Sequence, residues 1–139
     1  MNKPKVWVER FFVGEKFASV YAKSNKYVVP ARHLAWYESP LDAARGVMKD
    51  QLGKSLPARR FRLNGVQSYV SGDVSDSANP AHWDICFVYE VKLTAGEAKI
   101  LRAPDWFKDF GFKQRFRLTK EDFTRGHGDV LEEAGIING

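Results

Sequence analysis

The chain opens on β-branched and aromatic residues, Lys5 to Val13 (KVWVERFFV), a run that predicts a strand. Gly14-Glu15 makes a turn into a second strand, Lys16 to Ala22. The polar Ser24-Asn25-Lys26 then leads to a short third one, Tyr27 to Val29. Pro30 ends that run because it has no N–H to give to a ladder, and Arg32 to Glu38 reads as an irregular loop. After the loop the pattern changes from alternation to helical spacing. Ser39 is an N-cap residue, and Pro40 sits at the first helical position, where a missing donor costs nothing. Asp42 follows three residues after the cap, where an acid suits the positive helix end. Gly53 stands where a left-handed C′ residue would close the helix. These marks predict a helix of about three turns from Ser39 to Gly53. At about 100° per residue, Leu41, Ala44, Met48 and Leu52 form a narrow apolar stripe. Ala43, Gly46, Val47 and Asp50 lie on the other side, a small-residue face that invites close approach.

The second half alternates again. Arg59 to Leu63 (RRFRL) and Val66 to Val70 read as strands, with Asn64-Gly65 between them as a hairpin turn. Ser71 to Pro80 is a polar loop. His82 to Leu93 (HWDICFVYEVKL) is the strongest strand, with Ile85, Phe87, Tyr89, Val91 and Leu93 on one face. Cys86 and Val88 are on the other, so its centre is expected to be buried on both sides. Thr94 to Leu101 forms a turn or short helix, and Asp105 to Leu118 mixes aromatic and basic residues. Thr119 opens a final helix through Arg125 to Ala134, with Asp122 as its capping acid, Gly126 and Gly128 as candidate breaks near its start and Gly135 closing it. Strands, helix, strands, helix indicate a mixed α/β layered domain spanning residues 1–139.

The segment from Arg32 to Gly53 resembles the box of the Nudix superfamily, G-x5-E-x7-R-E-U-x-E-E-x-G, without a gap. Glu38 matches the first glutamate, Ala43-Ala44 a common alanine pair, Met48 the aliphatic position and Gly53 the closing glycine. The departures fall on the charged positions. The first glycine is Arg32, the box arginine is Gly46, the next glutamate is Val47, and the paired glutamates are Asp50 and Gln51. The resemblance implies an α/β/α sandwich with a mixed, largely antiparallel sheet. It further implies a ligand cleft lined by the Arg32–Glu38 loop, the box helix and neighbouring strands.

Composition narrows the setting. The 139 residues are 44% hydrophobic and 28% charged, ordinary for a globular chain, with no apolar run of membrane-spanning length. The N-terminus lacks the features of a secretory leader. Cys86 is the sole cysteine, so no internal disulfide forms, and a cytoplasmic setting without membrane association is expected. A net charge of +5 permits an anionic partner without specifying one.

In active members of the resembled family, the box glutamates hold Mg2+ or Mn2+ against a nucleoside-linked diphosphate while water attacks phosphorus. The ions screen the anion and lower the pKa of the attacking water. Here Val47 cannot ligate, Gln51 carries no charge and Asp50 is a methylene shorter than glutamate. Asp50 and Glu38 are the candidate catalytic acids, and Asp50 is the candidate metal ligand. Arg32, His33 and Trp36 are candidates for ligand binding in the cleft, where Arg32 either meets phosphate or blocks access. Arg59 and Arg60, with Arg62, form a basic run that suits phosphate or protects a solvated sheet edge. The aromatic and basic residues of Asp105 to Leu118 suit either RNA stacking or the edge of a core.

Three readings follow. The first is a Nudix-like domain binding a nucleoside diphosphate-type ligand, RNA or a protein partner without box-type hydrolysis and without a required cofactor. The second is a divergent pyrophosphohydrolase using Mg2+ or Mn2+. The third is a structural subunit of a larger assembly. Oligomeric state has no signature in the sequence.

Overall fold

The computed structural model describes residues 5–12, 15–23, 26–71, 82–102, 109–123 and 127–137. One mixed sheet organises them. Its strands are β1 (Lys5–Phe12), β2 (Glu15–Lys23), β3 (Lys26–Val28), β4 (Ala31–His33), β5 (Phe61–Ser71), β6 (His82–Leu93) and β7 (Asp109–Gln114). β1 runs parallel to β6 over its whole length, Lys5 opposite Cys86 and Phe12 opposite Leu93. The other pairings, β1–β2, β1–β4, β2–β3, β2–β7 and β5–β6, are antiparallel. The sheet is therefore mixed and largely antiparallel.

β6 divides the core in two, and its alternation shows how. Tyr89, Val91 and Leu93 join a cluster with Ala43, Ala44, Val47, Met48, Leu52 and Leu56 on one face of the sheet. Cys86 and Val88 join Leu118, Phe123, Val130, Leu131, Ile136 and Ile137 on the other. The first face is covered by helix α1 (Pro40–Gly46) with its continuation, and by α2 (Ala95–Ile100). The second is covered by α3 (His127–Glu133). This is an α/β/α sandwich. Among the described residues, no helix is long and apolar enough to cross a membrane.

Several expectations change. Residues 31–33 are a strand and not part of a loop. After Pro30 the chain turns back and pairs with the start of β1, Trp7 opposite Ala31 and Lys5 opposite His33. Asn64-Gly65 is no hairpin turn. A hairpin would require its two arms to pair with each other, whereas Phe61 to Leu63 and Gly65 to Ser71 all pair with β6. The register shifts by one residue at Asn64 to form a bulge. The basic run starts earlier than a strand, because Ala58–Arg60 is a 3-10 turn. Ile85 keeps its place on the Tyr89 face but is half exposed.

The last helix does not begin at Thr119. Asp122 accepts the Thr119 N–H at 2.9 Å, but this cap opens only a 3-10 turn, Lys120–Asp122, and Phe123 then bridges to Tyr27. α3 starts separately at His127. It packs so tightly that a Cβ on Gly128 would stand 2.2 Å from the Lys120 carbonyl oxygen. Only glycine fits there. Residues 72–80 of the polar loop and 105–108 of the aromatic-basic stretch lie outside the described residues.

Candidate functional site

The box helix starts as its sequence dictates. Ser39 Oγ accepts the Asp42 N–H at 3.1 Å, and Pro40 fills the first turn. It ends as expected too, with Gly53 at φ +79°, the left-handed region that glycine enters without strain. Between these ends the helix is not uniform. Val47–Gln51 forms a π turn, which sits in the position where α-helical spacing would place Gln51 inside the apolar stripe. The wider turn resets the angle, and Gln51 Nε2 donates to the Ala31 carbonyl of β4 at 2.8 Å. A glutamate at 51 has no donor for that bond.

The small-residue face read from the wheel is split: Gly46 and Asp50 line a cleft, while Ala43 and Val47 are buried. Ala43, Ala44, Val47, Met48 and Leu52 all have 0% exposure. The buried side is a broad stripe made of two i,i+4 rows, Ala43–Val47 and Ala44–Met48–Leu52. Val47, at a box glutamate position, is therefore a core residue against the sheet. Gly46 and Asp50 stay on the outer side.

There, helix and preceding loop enclose a cleft of about 340 Å3. Arg32 reaches into it from β4. Its Nη2 donates to Glu38 Oε2 at 2.6 Å, and the other oxygen of Glu38 accepts the Ala35 N–H at 3.0 Å. Partial burial pushes the Glu38 carboxyl up, but the Ala35 N–H and the Arg32 hydrogen bond and charge outweigh it, leaving the group below its ordinary value. The guanidinium lies directly on Gly46, where an added Cβ would fall 2.5 Å from Nη2. The arginine missing at position 46 is thus replaced in space by one from position 32, and glycine at 46 is what lets it in. Arg32 Nε is buried with no hydrogen-bond partner, an unsatisfied donor beside the Glu38 pair.

The cleft wall carries three cations, Arg32, Arg45 and Lys49, and three acids, Glu38, Asp42 and Asp50. Arg45 spends its Nε on the Leu56 carbonyl at 3.0 Å. Of the sequence candidates, Arg32, Glu38 and Asp50 are brought together here. His33 and Trp36 are exposed and are not among the residues lining the cleft. Arg59 is exposed in its 3-10 turn. Arg60 holds Glu97 at 2.8 Å and the Lys92 carbonyl at 3.0 Å, and Arg62 pairs with Glu90. The basic run therefore lies apart from the cleft, with two of its guanidiniums matched to acids. Sequence reasoning missed Arg45 and Lys49 as cleft residues, although their i,i+4 spacing beside the stripe was a usable signal. Tyr37, outside the cleft lining, is fully exposed at φ +62° in the loop before α1, a backbone conformation with no signature in its side chain.

A divalent ion of the box type is held by the box glutamates, with phosphate and water completing its oxygen shell. The residues present do not fit one. Val47 is in the core, the Gln51 amide is used as a donor, and Glu38 is already taken by a guanidinium. Among the described residues, no three His, Cys, Asp or Glu side chains are placed to hold a metal ion.

Comparison with solved structures agrees with the architecture. The dihydroneopterin triphosphate pyrophosphohydrolase of E. coli superposes at a TM-score of 0.71 with 8% identity, over 95% of this chain and 94% of that one. The Nudix domain of Shewanella oneidensis NrtR, solved with ADP ribose, superposes at 0.63 with 11% identity, over 97% of this chain and 87% of that one. A bifunctional NMN adenylyltransferase/ADP ribose pyrophosphatase from Francisella tularensis, solved with AMP and a Mn ion, superposes at 0.61 with 14% identity over 97% of this chain. The chain spans only 43% of that last protein's length, and 44% of a MutT/nudix family protein from Enterococcus faecalis. No family model matches the sequence, and no curated protein matches it. The chain has the Nudix fold.

Proposed function

We propose that this chain is a Nudix-fold binding module that holds a nucleoside diphosphate-type ligand in the box cleft without metal-assisted hydrolysis. The observation that carries this reading is the Arg32 guanidinium, seated over Gly46 and paired with Glu38 at 2.6 Å. A fixed positive group stands among the residues that would have to concentrate negative charge around a divalent ion. It repels such an ion and offers a diphosphate what the ion would have offered. Lys49 and the part-exposed Arg32 side chain, both in the cleft wall, are the cationic contacts offered to phosphate. Solved neighbours of the same fold, one with ADP ribose and one with AMP and Mn, support nucleotide-type ligands as the class to test.

The test is a thermal-shift titration with ADP-ribose in chelator and again in Mn2+, followed by chromatography of the ligand. The reading predicts the same stabilisation in both buffers, intact ligand, and a weaker shift in Lys49→Ala. The competing reading, a divergent pyrophosphohydrolase, rests on Asp50 and Glu38 lining one cleft. Mn2+-dependent release of AMP that disappears in Asp50→Ala would establish it in place of ours.

A further inference from the structure

Most of the guanidinium groups described above are spent. Arg32, Arg60 and Arg62 are each paired with an acid, and Arg45 with a carbonyl. The far end of the sheet differs. β7 pairs only with β2 among the described strands, and where it ends, at Gln114, the chain turns through a 3-10 segment at Arg115–Arg117. A second cavity of about 380 Å3 opens at this corner, walled by Phe112, Lys113, Gln114, Arg117 and Leu118. That volume is in the range of small-ligand sites. Its wall contains two cations and no acid. Neither Lys113 nor Arg117 forms an ion pair among the described residues. Lys113 Nζ lies 5.9 Å from the centre of the Tyr27 ring, which orients the ammonium while leaving its hydrogen-bond donors for another partner.

Aromatic surface accompanies the charge. Phe112 is half buried in the wall itself, and Phe116, one residue before Arg117, is 57% exposed. Phe116 belongs to neither core cluster; the core members at this corner are Leu118 and Phe123. Leu118 is the hinge between the two roles, buried on the α3 side yet reaching the cavity.

We propose that this corner binds a single nucleic-acid strand, with Lys113 and Arg117 on successive phosphates, Gln114 on a base edge or sugar, and Phe116 as a stacking surface for an unpaired base. Cations along a groove with aromatic rings between them are the minimum that single-strand recognition requires, since every base has a face to stack and every phosphate a charge to meet. The site is separate from the box cleft and does not depend on the reading given to that cleft.

The test is fluorescence anisotropy of a short labelled oligouridylate with the full chain, titrated at several salt concentrations. Binding should fall steeply with salt. Lys113→Ala with Arg117→Ala should weaken it about tenfold or more and flatten the log–log salt slope by about 1.4, the contribution of two single-strand phosphate contacts. Phe116→Ala should weaken it about fivefold or more while leaving the salt slope unchanged. Lys49→Ala, in the other cleft, should leave it untouched. An RNA duplex of the same length should bind more weakly, because its bases are already stacked. All four side chains are exposed, and a thermal melt of each variant confirms that it is folded. No binding, or binding that survives the double substitution, overturns the proposal. So does duplex binding equal to the single strand, or indifference to Phe116→Ala, since either reduces the corner to a general anion patch.

Discussion

The two clefts of this molecule invert what their sequences advertise. The box cleft comes from the most recognisable segment of the chain, and it gathers three cations and three acids that largely cancel. The β7 corner comes from a stretch with no recognised motif, and it keeps two cations with no acid in its wall. In the box cleft the frame was retained while its charge was turned inward, onto Glu38 and the Leu56 carbonyl. At the corner no frame constrains the residues, and the charge still points outward. A motif can therefore preserve a shape while cations with no acid in their wall gather elsewhere on the same sheet.

Repairing the box should break the fold before it restores chemistry. Val47→Glu returns the box residue, but it places a carboxylate at a position with 0% exposure, against Tyr89 and Val91. An unpaired buried charge costs about 3 kcal/mol or more, so urea unfolding should show at least that loss, unrelieved by Mg2+. A Val47→Glu protein of unchanged stability would mean that position 47 faces a cleft after all.

A smaller effect separates the basic run from both clefts. Arg60 is the main cause that holds the Glu97 carboxyl down to about 2, with the Thr94 N–H assisting, and Glu97 also caps α2. A carboxyl lowered from 4.5 in the unfolded chain to about 2 when folded contributes stability above pH 4.5 and loses it as pH falls towards 2. Glu97→Gln should then cost about 1 kcal/mol at neutral pH, after allowance for solvent screening, and almost nothing near pH 2. A cost independent of pH would show that packing and not charge sets it, and would release Arg60 as a candidate for phosphate.

The finest test concerns the exchange of positions 32 and 46. Gly46→Ala alone should gain little, because the new methyl displaces the Arg32 guanidinium that lies 2.5 Å away. In an Arg32→Ala background the same change should recover the ordinary helix gain of alanine over glycine, up to about 1 kcal/mol. The coupling in that double-mutant cycle, positive by a few tenths of a kcal/mol or more, measures the contact. Simple additivity would remove it.

The layered fold was legible because β6 and the caps state their roles locally. Alternation across Cys86 to Leu93 marked both core faces, and Ser39, Pro40 and Gly53 fixed the ends of the box helix. What escaped reading depends on partners distant in sequence. Asn64-Gly65 has hairpin chemistry, but the length of β6 recruits both of its flanks. Ala43 and Val47 look like a small-residue face until the breadth of the sheet beneath them is known. Arg32 and Gly46 each look like a loss from the motif, and only their proximity shows that one accommodates the other. Thr119 and Asp122 make a genuine cap, yet the pairing of Phe123 with Tyr27 stops the helix it announces.

Calorimetric titration of Mn2+ into the ligand-free protein tests the central claim most directly, because it asks whether the box segment still holds a divalent ion. The Arg32–Glu38 pair over Gly46 predicts no stoichiometric binding at that segment, and the same heats for the native chain and for Asp50→Ala. A one-to-one isotherm that vanishes in Asp50→Ala would contradict it.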